Sequence, residues 1–123
     1  MASLDISLKA IISIPGAIGA AVVDAGSGMT LGVAGGSPAF DPAIAAAGST
    51  DVIRAKMRTV EMLNLAEGIE DILITLDSQY HLIRPLTSRA GKGLFLYVAL
   101  SRSHSNLALA RHQLRQIEEG LEL

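Results

Sequence analysis

Apolar and polar positions change period several times along this chain, and each change marks an element. Leu4, Leu8, Ile11 and Ile12 recur at helical spacing behind Ser3, a residue suited to cap a helix N-terminus. That helix must stop by Pro15-Gly16, because proline disfavours the helical conformation of the residue before it. Ile18 to Asp24 and Met29 to Ala34 read as strands, the first rich in β-branched residues at Val22 and Val23. Between them Asp24-Ala25-Gly26-Ser27-Gly28 is turn chemistry, its two glycines tolerant of positive φ, so the pair is a hairpin.

Asp41-Pro42 is the strongest helix start in the chain, an acid at the N-cap with proline at the first helical position. A stripe of apolar or small residues follows at Ile44, Ala47, Gly48, Val52, Ala55, Thr59, Met62 and Leu63 and continues to about Leu65. Ile53, Met57 and Val60 supply a second apolar face. A helix apolar on two faces packs against the sheet with one and against something else with the other. In a domain this small, that something is a partner chain.

Ile69 to Leu76 reads as a strand, Asp77-Ser78-Gln79 as a turn and Tyr80 to Leu86 as the next strand. Ser88 to Gly93 is a loop. Leu94 to Leu100 is apolar at every position, the mark of a central strand covered on both faces. Ser103 or Ser105 can cap a last helix from about Asn106 to Glu119, with Leu107, Ala110, Leu114 and Ile117 on the helical period and Gly120 at its end. The order α-β-β-α-β-β-β-α predicts an α+β fold, a five-stranded antiparallel sheet sandwiched with helices. Ile72 to Leu76 has no Pro or Lys to protect an exposed edge, and Glu70, Asp71 and Asp77 are its only gatekeepers. Closed twofold pairing would settle the open edge and the second helix face together.

Composition sharpens this picture. The 123 residues are 50% hydrophobic but only 3% aromatic, so the core is built from small branched side chains. Charged residues reach 18%, below the about 25% of an average soluble domain, which again points to self-association. The net charge is −2, and the basic residues are scattered. Arg54, Lys56 and Arg58 form the densest group, better explained by a solvated helix face than by a phosphate track, so nucleic acid is disfavoured. No cysteine is present, which excludes disulfides and thiolate metal sites and fits a reducing cytoplasm. The apolar stretch Ala10–Val23 falls short of the about 20 residues that span a membrane. Pro15-Gly16 interrupts it, and Asp5 stands where a signal peptide is basic, so no membrane insertion is expected.

Candidate chemistry fails on the residues. Gly26-x-Gly28 lacks the third glycine of a dinucleotide fingerprint, since Leu31 stands in its place and a strand follows where a helix is needed. Gly91-Lys92-Gly93 lacks the first glycine and the Ser or Thr of a P-loop. His81, His104 and His112 have none of the short spacings that preorganise zinc and read as exposed or rim histidines. No Gly-x-Ser-x-Gly elbow occurs. Arg54 and Arg58, four apart on one helix face, read as solvated side chains and not as an arginine finger, and Arg89 and Lys92 lie on a loop. No catalytic, cofactor or metal site is assigned, and the expectation is a protein that is not an enzyme.

The run Ile14-Pro15-Gly16-Ala17-Ile18-Gly19-Ala20-Ala21-Val22-Val23-Asp24, the element order and the closing helix through Arg115-Gln116-Ile117-Glu118-Glu119 resemble the roadblock/dynein light-chain family. The resemblance covers the chain as one domain, residues 1–123, and is greatest to stand-alone bacterial members. It implies a roadblock/profilin-like α–β sandwich that pairs with itself or a related chain through the long helix and the neighbouring strand, one sheet running across the pair. It further implies a cytoplasmic platform for small Ras-like GTPases, some members stimulating hydrolysis by repositioning the GTPase's own residues. Carried over by position, the dimer surface comprises Val52, Ala55, Thr59 and Met62 on the helix with Ile72 and Ile74 on the strand. The alternative is a structural adaptor dimer that assembles larger complexes without a GTPase, and after it a small-ligand sensor.

Overall fold

Ser3 opens the first helix, α1 (Leu4–Ile12), its hydroxyl accepting from the Ile6 N–H. A computed structural model describes residues 3–87 and 92–121 of the chain. β1 (Ala17–Asp24) and β2 (Thr30–Gly35) form the expected hairpin. Its turn is held by the Asp24 carboxylate, which accepts from the Gly26 N–H at 3.0 Å and from the Ser27 hydroxyl at 2.9 Å. Gly28 takes positive φ there and Gly26 does not, so the turn requires one glycine where two were expected.

Asp41 caps α2 (Pro42–Met62), accepting from the Ala43 N–H at 2.9 Å. The helix ends before Leu65, with Asn64 at φ 56° turning the chain out of it. β3 (Ile72–Thr75), β4 (Gln79–Pro85) and β5 (Leu94–Ser101) make a meander, followed by a 3-10 turn (Arg102–His104) and α3 (Leu107–Gly120). β3 is half the length its apolar run suggested. Ile69–Asp71 lie outside the ladder, where Glu70 and Asp71 meet arginines of α3. The cap of α3 is Asn106, whose side chain accepts from the Leu109 N–H at 3.0 Å, and neither Ser103 nor Ser105 fills that role. Ser103 belongs to the 3-10 turn, and the Ser105 hydroxyl donates back to the Ser101 carbonyl at 2.6 Å. Of the loop Ser88–Gly93, residues 88–91 with Arg89 lie outside the described residues, and Lys92-Gly93 forms a turn.

The strands are ordered β2-β1-β5-β4-β3 and every neighbouring pair is antiparallel, so β5 is central as its unbroken apolar run requires. Alternate side chains feed two layers. On one face α1 and α3 close over Val22, Leu82, Leu96 and Val98 with Leu8, Ile11 and Leu114. On the other, α2 alone supplies Ala46 and Ile53 to Val23, Ile83, Phe95 and Tyr97. The Pro15-Gly16 step fits beneath the β5–α3 connection. Gly16 has φ +88°, and a Cβ there would lie 2.7 Å from Ser105 Cβ.

Candidate functional site

Each residue of an α-helix advances about 100° around the axis, which makes the surroundings of α2 readable from a few contacts. Ala46, Thr50 and Ile53 face the sheet and are buried. Arg54 lies on one flank, where its Nε donates to the Ala25 carbonyl at 2.6 Å and its Nη2 to the Gly26 carbonyl. That flank therefore faces the β1–β2 turn. Arg54 is a tie between helix and hairpin and not the solvated side chain expected, whereas Arg58 is exposed.

The opposite flank of α2 faces the β4–β3 half of the sheet. It carries Gly48, Val52, Ala55 and Thr59, all exposed, and grades into the helix summit at Ile44 and Met62, which are 73% and 79% exposed. Its side chains are small: a Cβ on Gly48 would meet nothing within 4 Å, and the Thr59 hydroxyl bonds back to the Ala55 carbonyl at 2.9 Å. At the end of α2 a groove of about 410 Å³ opens between Met57, Val60 and Leu65 on one side and Ile69, Pro85 and Leu86 on the other.

Beside this flank runs the free edge of β3. Its Ile72 and Ile74 turn toward the α2 side and are half-buried against the Phe95–Tyr97 layer. The Leu76 N–H bonds to the Gln79 carbonyl at 2.8 Å, and the antiparallel alternation counted from there leaves the N–H and C=O of Leu73 and Thr75 pointing out of the sheet. The expected gatekeepers are largely committed elsewhere. Asp71 takes a bidentate pair from Arg111 at 2.9 and 3.1 Å and a further bond from Arg84 at 3.3 Å. Glu70 is paired with Arg115, whose hydrogen bond and charge hold the carboxyl below its ordinary range. Arg84 is itself buried and donates through Nε to the buried Glu118 at 3.0 Å, while Glu118 also accepts from the Thr87 N–H at 3.1 Å. This network pins the start of β3 to α3 and turns its acids away from the open edge.

Next to Ile74 on the same face, His81 is half-buried between Phe40 and Tyr97, with which its ring makes edge-on contacts at 6.1 and 5.5 Å. Nε2 lies 2.8 Å from Gln79 Oε1 and Nδ1 lies 3.2 Å from the Tyr97 hydroxyl, the pairing of a neutral imidazole that donates to the amide oxygen and accepts from the phenol. Burial lowers the His81 pKa and pushes the Tyr97 phenol up to about 12. His81 is thus no rim histidine, unlike the exposed His104 and His112. Among the described residues no three His, Asp or Glu side chains are grouped to hold a metal ion, and no helix is long and apolar enough to cross a membrane.

Val52, Ala55, Thr59 and Met62 thus share one side of α2, and Ile72 and Ile74 lie on the facing side of the edge strand. The arginine network and the His81 cluster carry no motif. Their partners are up to 45 residues apart in sequence, and only the fold brings them together.

No protein-family model matches the sequence, and no curated protein does. Solved structures do match the fold. A roadblock/LC7 domain from Streptomyces avermitilis superposes with a TM-score of 0.79 at 17% identity, covering 97% of this chain and 94% of that one. MglB of Myxococcus xanthus gives 0.77 at 13% identity, over 94% and 91%. The gliding protein MglB of Thermus thermophilus gives 0.67 at 17%, over 94% and 88%. The α+β architecture is that of the roadblock/LC7 domain.

Proposed function

We propose that this roadblock-fold chain is a non-catalytic regulatory or scaffold module that works as a homodimer and binds a small Ras-like GTPase. The observation that carries the dimer is the juxtaposition of two unsatisfied surfaces. A small-residue helix flank at Gly48, Val52, Ala55 and Thr59 lies beside a strand edge whose acids are already paired. A second copy related by a twofold axis covers both at once: β3 pairs with β3, and the two α2 flanks close over the joined sheet. The GTPase rests on the family resemblance and on the fold shared with MglB. Arg54 is tied to Ala25 and Gly26, so any stimulation of hydrolysis proceeds without a finger from that residue.

Light scattering behind gel filtration tests the dimer. The expected mass is twice the 12.8 kDa of one chain, falling to one chain for Val52→Glu and for Met62→Glu with helical circular dichroism unchanged. A single-chain mass for the wild type at every concentration overturns it. For the partner, a Ras-like GTPase from the same cell should co-elute with the dimer in one nucleotide state. Equal recovery with either nucleotide, or none, favours the adaptor role.

A further inference from the structure

Four residues form one row across the α2 face of the sheet: Gly19 of β1, Ala99 of β5, His81 of β4 and Ile74 of β3, each the register partner of the next. The first two are small, and the Phe40 ring at the entrance to α2 lies over Gly19, where an added Cβ would come within 3.1 Å of it. The same ring meets His81 edge-on, and the cover from that side ends there. His81 and Ile74 stay half-buried, with only the four-residue β3 between the imidazole and the open edge of the sheet. A second copy joined at β3 continues this row and shuts away the part of His81 that still meets water.

We infer that pairing at the β3 edge is proton-linked: the second copy closes only over a neutral His81, and acid releases it. The inference rests on the β3 dimer proposed above. Among the described residues no anion faces the imidazole. Its same-face neighbours on β4 are Gln79 and Ile83, β3 brings Ile74, β5 brings Tyr97, and the entrance to α2 brings Phe40. Asp41, next to Phe40, gives its carboxylate to the Ala43 N–H, and the helix end that it caps is the positive end of the α2 dipole. Beyond Gln79, the exposed His104 bonds to Ser101. Protonation turns Nδ1 of His81 from acceptor to donor, and the buried Tyr97 hydroxyl then has no acceptor among the described residues. An imidazolium shut under apolar surface also gives up its hydration with no charge in exchange. Each copy must therefore shed a proton before the pair closes, two per dimer, and dissociation strengthens as pH falls. Association is complete above the titration of His81 in the separate chain and is lost as pH falls through it. That range lies below about pH 6.5, because burial within one chain already lowers the value.

Sedimentation equilibrium at about pH 7.5 and about pH 5, with circular dichroism confirming that the chain stays folded, reads the linkage. The dissociation constant of the wild type should rise about tenfold in acid, while His81→Gln and His81→Phe should each flatten most of that change. Histidine titration followed by NMR reads the same coupling without altering the ring. His81 should titrate at lower pH in the wild-type dimer than in the single-chain Val52→Glu variant, and the exposed His104 and His112 should titrate alike in both. A His81 that titrates alike in both proteins overturns the inference. So does a wild-type dissociation constant that ignores pH, or a pH dependence that survives in both His81 variants. A wild type that is a single chain at every concentration and pH removes the β3 dimer and this inference with it, and light scattering tells that outcome from a dimer indifferent to pH.

Discussion

Replacing Glu118 by alanine should cost this protein more stability than any single exposed substitution. Glu118 and Arg84 have side chains only 3% and 6% exposed, so water screens their charges poorly. Removing one partner of a buried ion pair typically costs about 3–5 kcal/mol. Arg84 keeps Asp71 at 3.3 Å after the substitution, which spares it complete isolation, and Thr87 is exposed enough for water to take over its N–H. The lower end, about 3 kcal/mol, is therefore expected. In a domain of this size that lowers Tm by about 12 °C. Urea unfolding at one fixed protein concentration, needed because association adds to apparent stability, measures it. The double variant Arg84→Met/Glu118→Leu should lose clearly less than its two single variants together, since it leaves no unpaired charge. A loss below about 1 kcal/mol for Glu118→Ala, or strict additivity in the double variant, would refute the claim that these charges are held away from water.

Gly48→Ala should raise the stability of α2 by about 0.5–1 kcal/mol, because the added methyl meets nothing in the protomer. If the two α2 flanks close against each other, the same methyl weakens the dimer, and thermal unfolding and sedimentation then move in opposite directions. Burial holds His81 below the usual imidazole pKa, so as pH falls the unfolded chain takes up that proton first. Its contribution is complete above about pH 6.5 and is lost from there down through the folded pKa. The urea midpoint of His81→Gln should change less than the wild type's between about pH 7.5 and about pH 5.5. Asn106→Ala removes the cap of α3 and should cost about 1 kcal/mol, while Ser105→Ala leaves the cap untouched.

The layout of the fold was legible because it rests on short-range rules. The Asp41-Pro42 start, the hairpin glycine and the unbroken apolar run of β5 each act within a few residues. The two faces of α2 were also visible in the periodicity, and the sheet takes the one that includes Ile53. What failed were choices between neighbours. Three polar residues compete to cap α3, and the winner depends on the 3-10 turn before it. The ends of β3 depend on where Glu70 and Asp71 find arginines, and Arg54 depends on a turn 28 residues away. Charge pairing across such separations leaves no periodic trace, so composition assigned these residues to the surface.

The strand order has a consequence for how the molecule comes together. The β1–β2, β3–β4 and β4–β5 ladders join strands that follow one another along the chain, and among the described residues only the β1–β5 ladder crosses between the two halves. During synthesis the apolar β1, with its hairpin partner already in place, waits with its other edge unpaired until Leu94–Ser101 has left the ribosome. Cutting the chain between Leu65 and Gly68 would yield one piece with the hairpin, α1 and α2 and another with the meander and α3. Neither piece would hold a finished sheet. Mixed together, they should rebuild it through that one ladder, which makes this fold a natural split reporter of its own assembly.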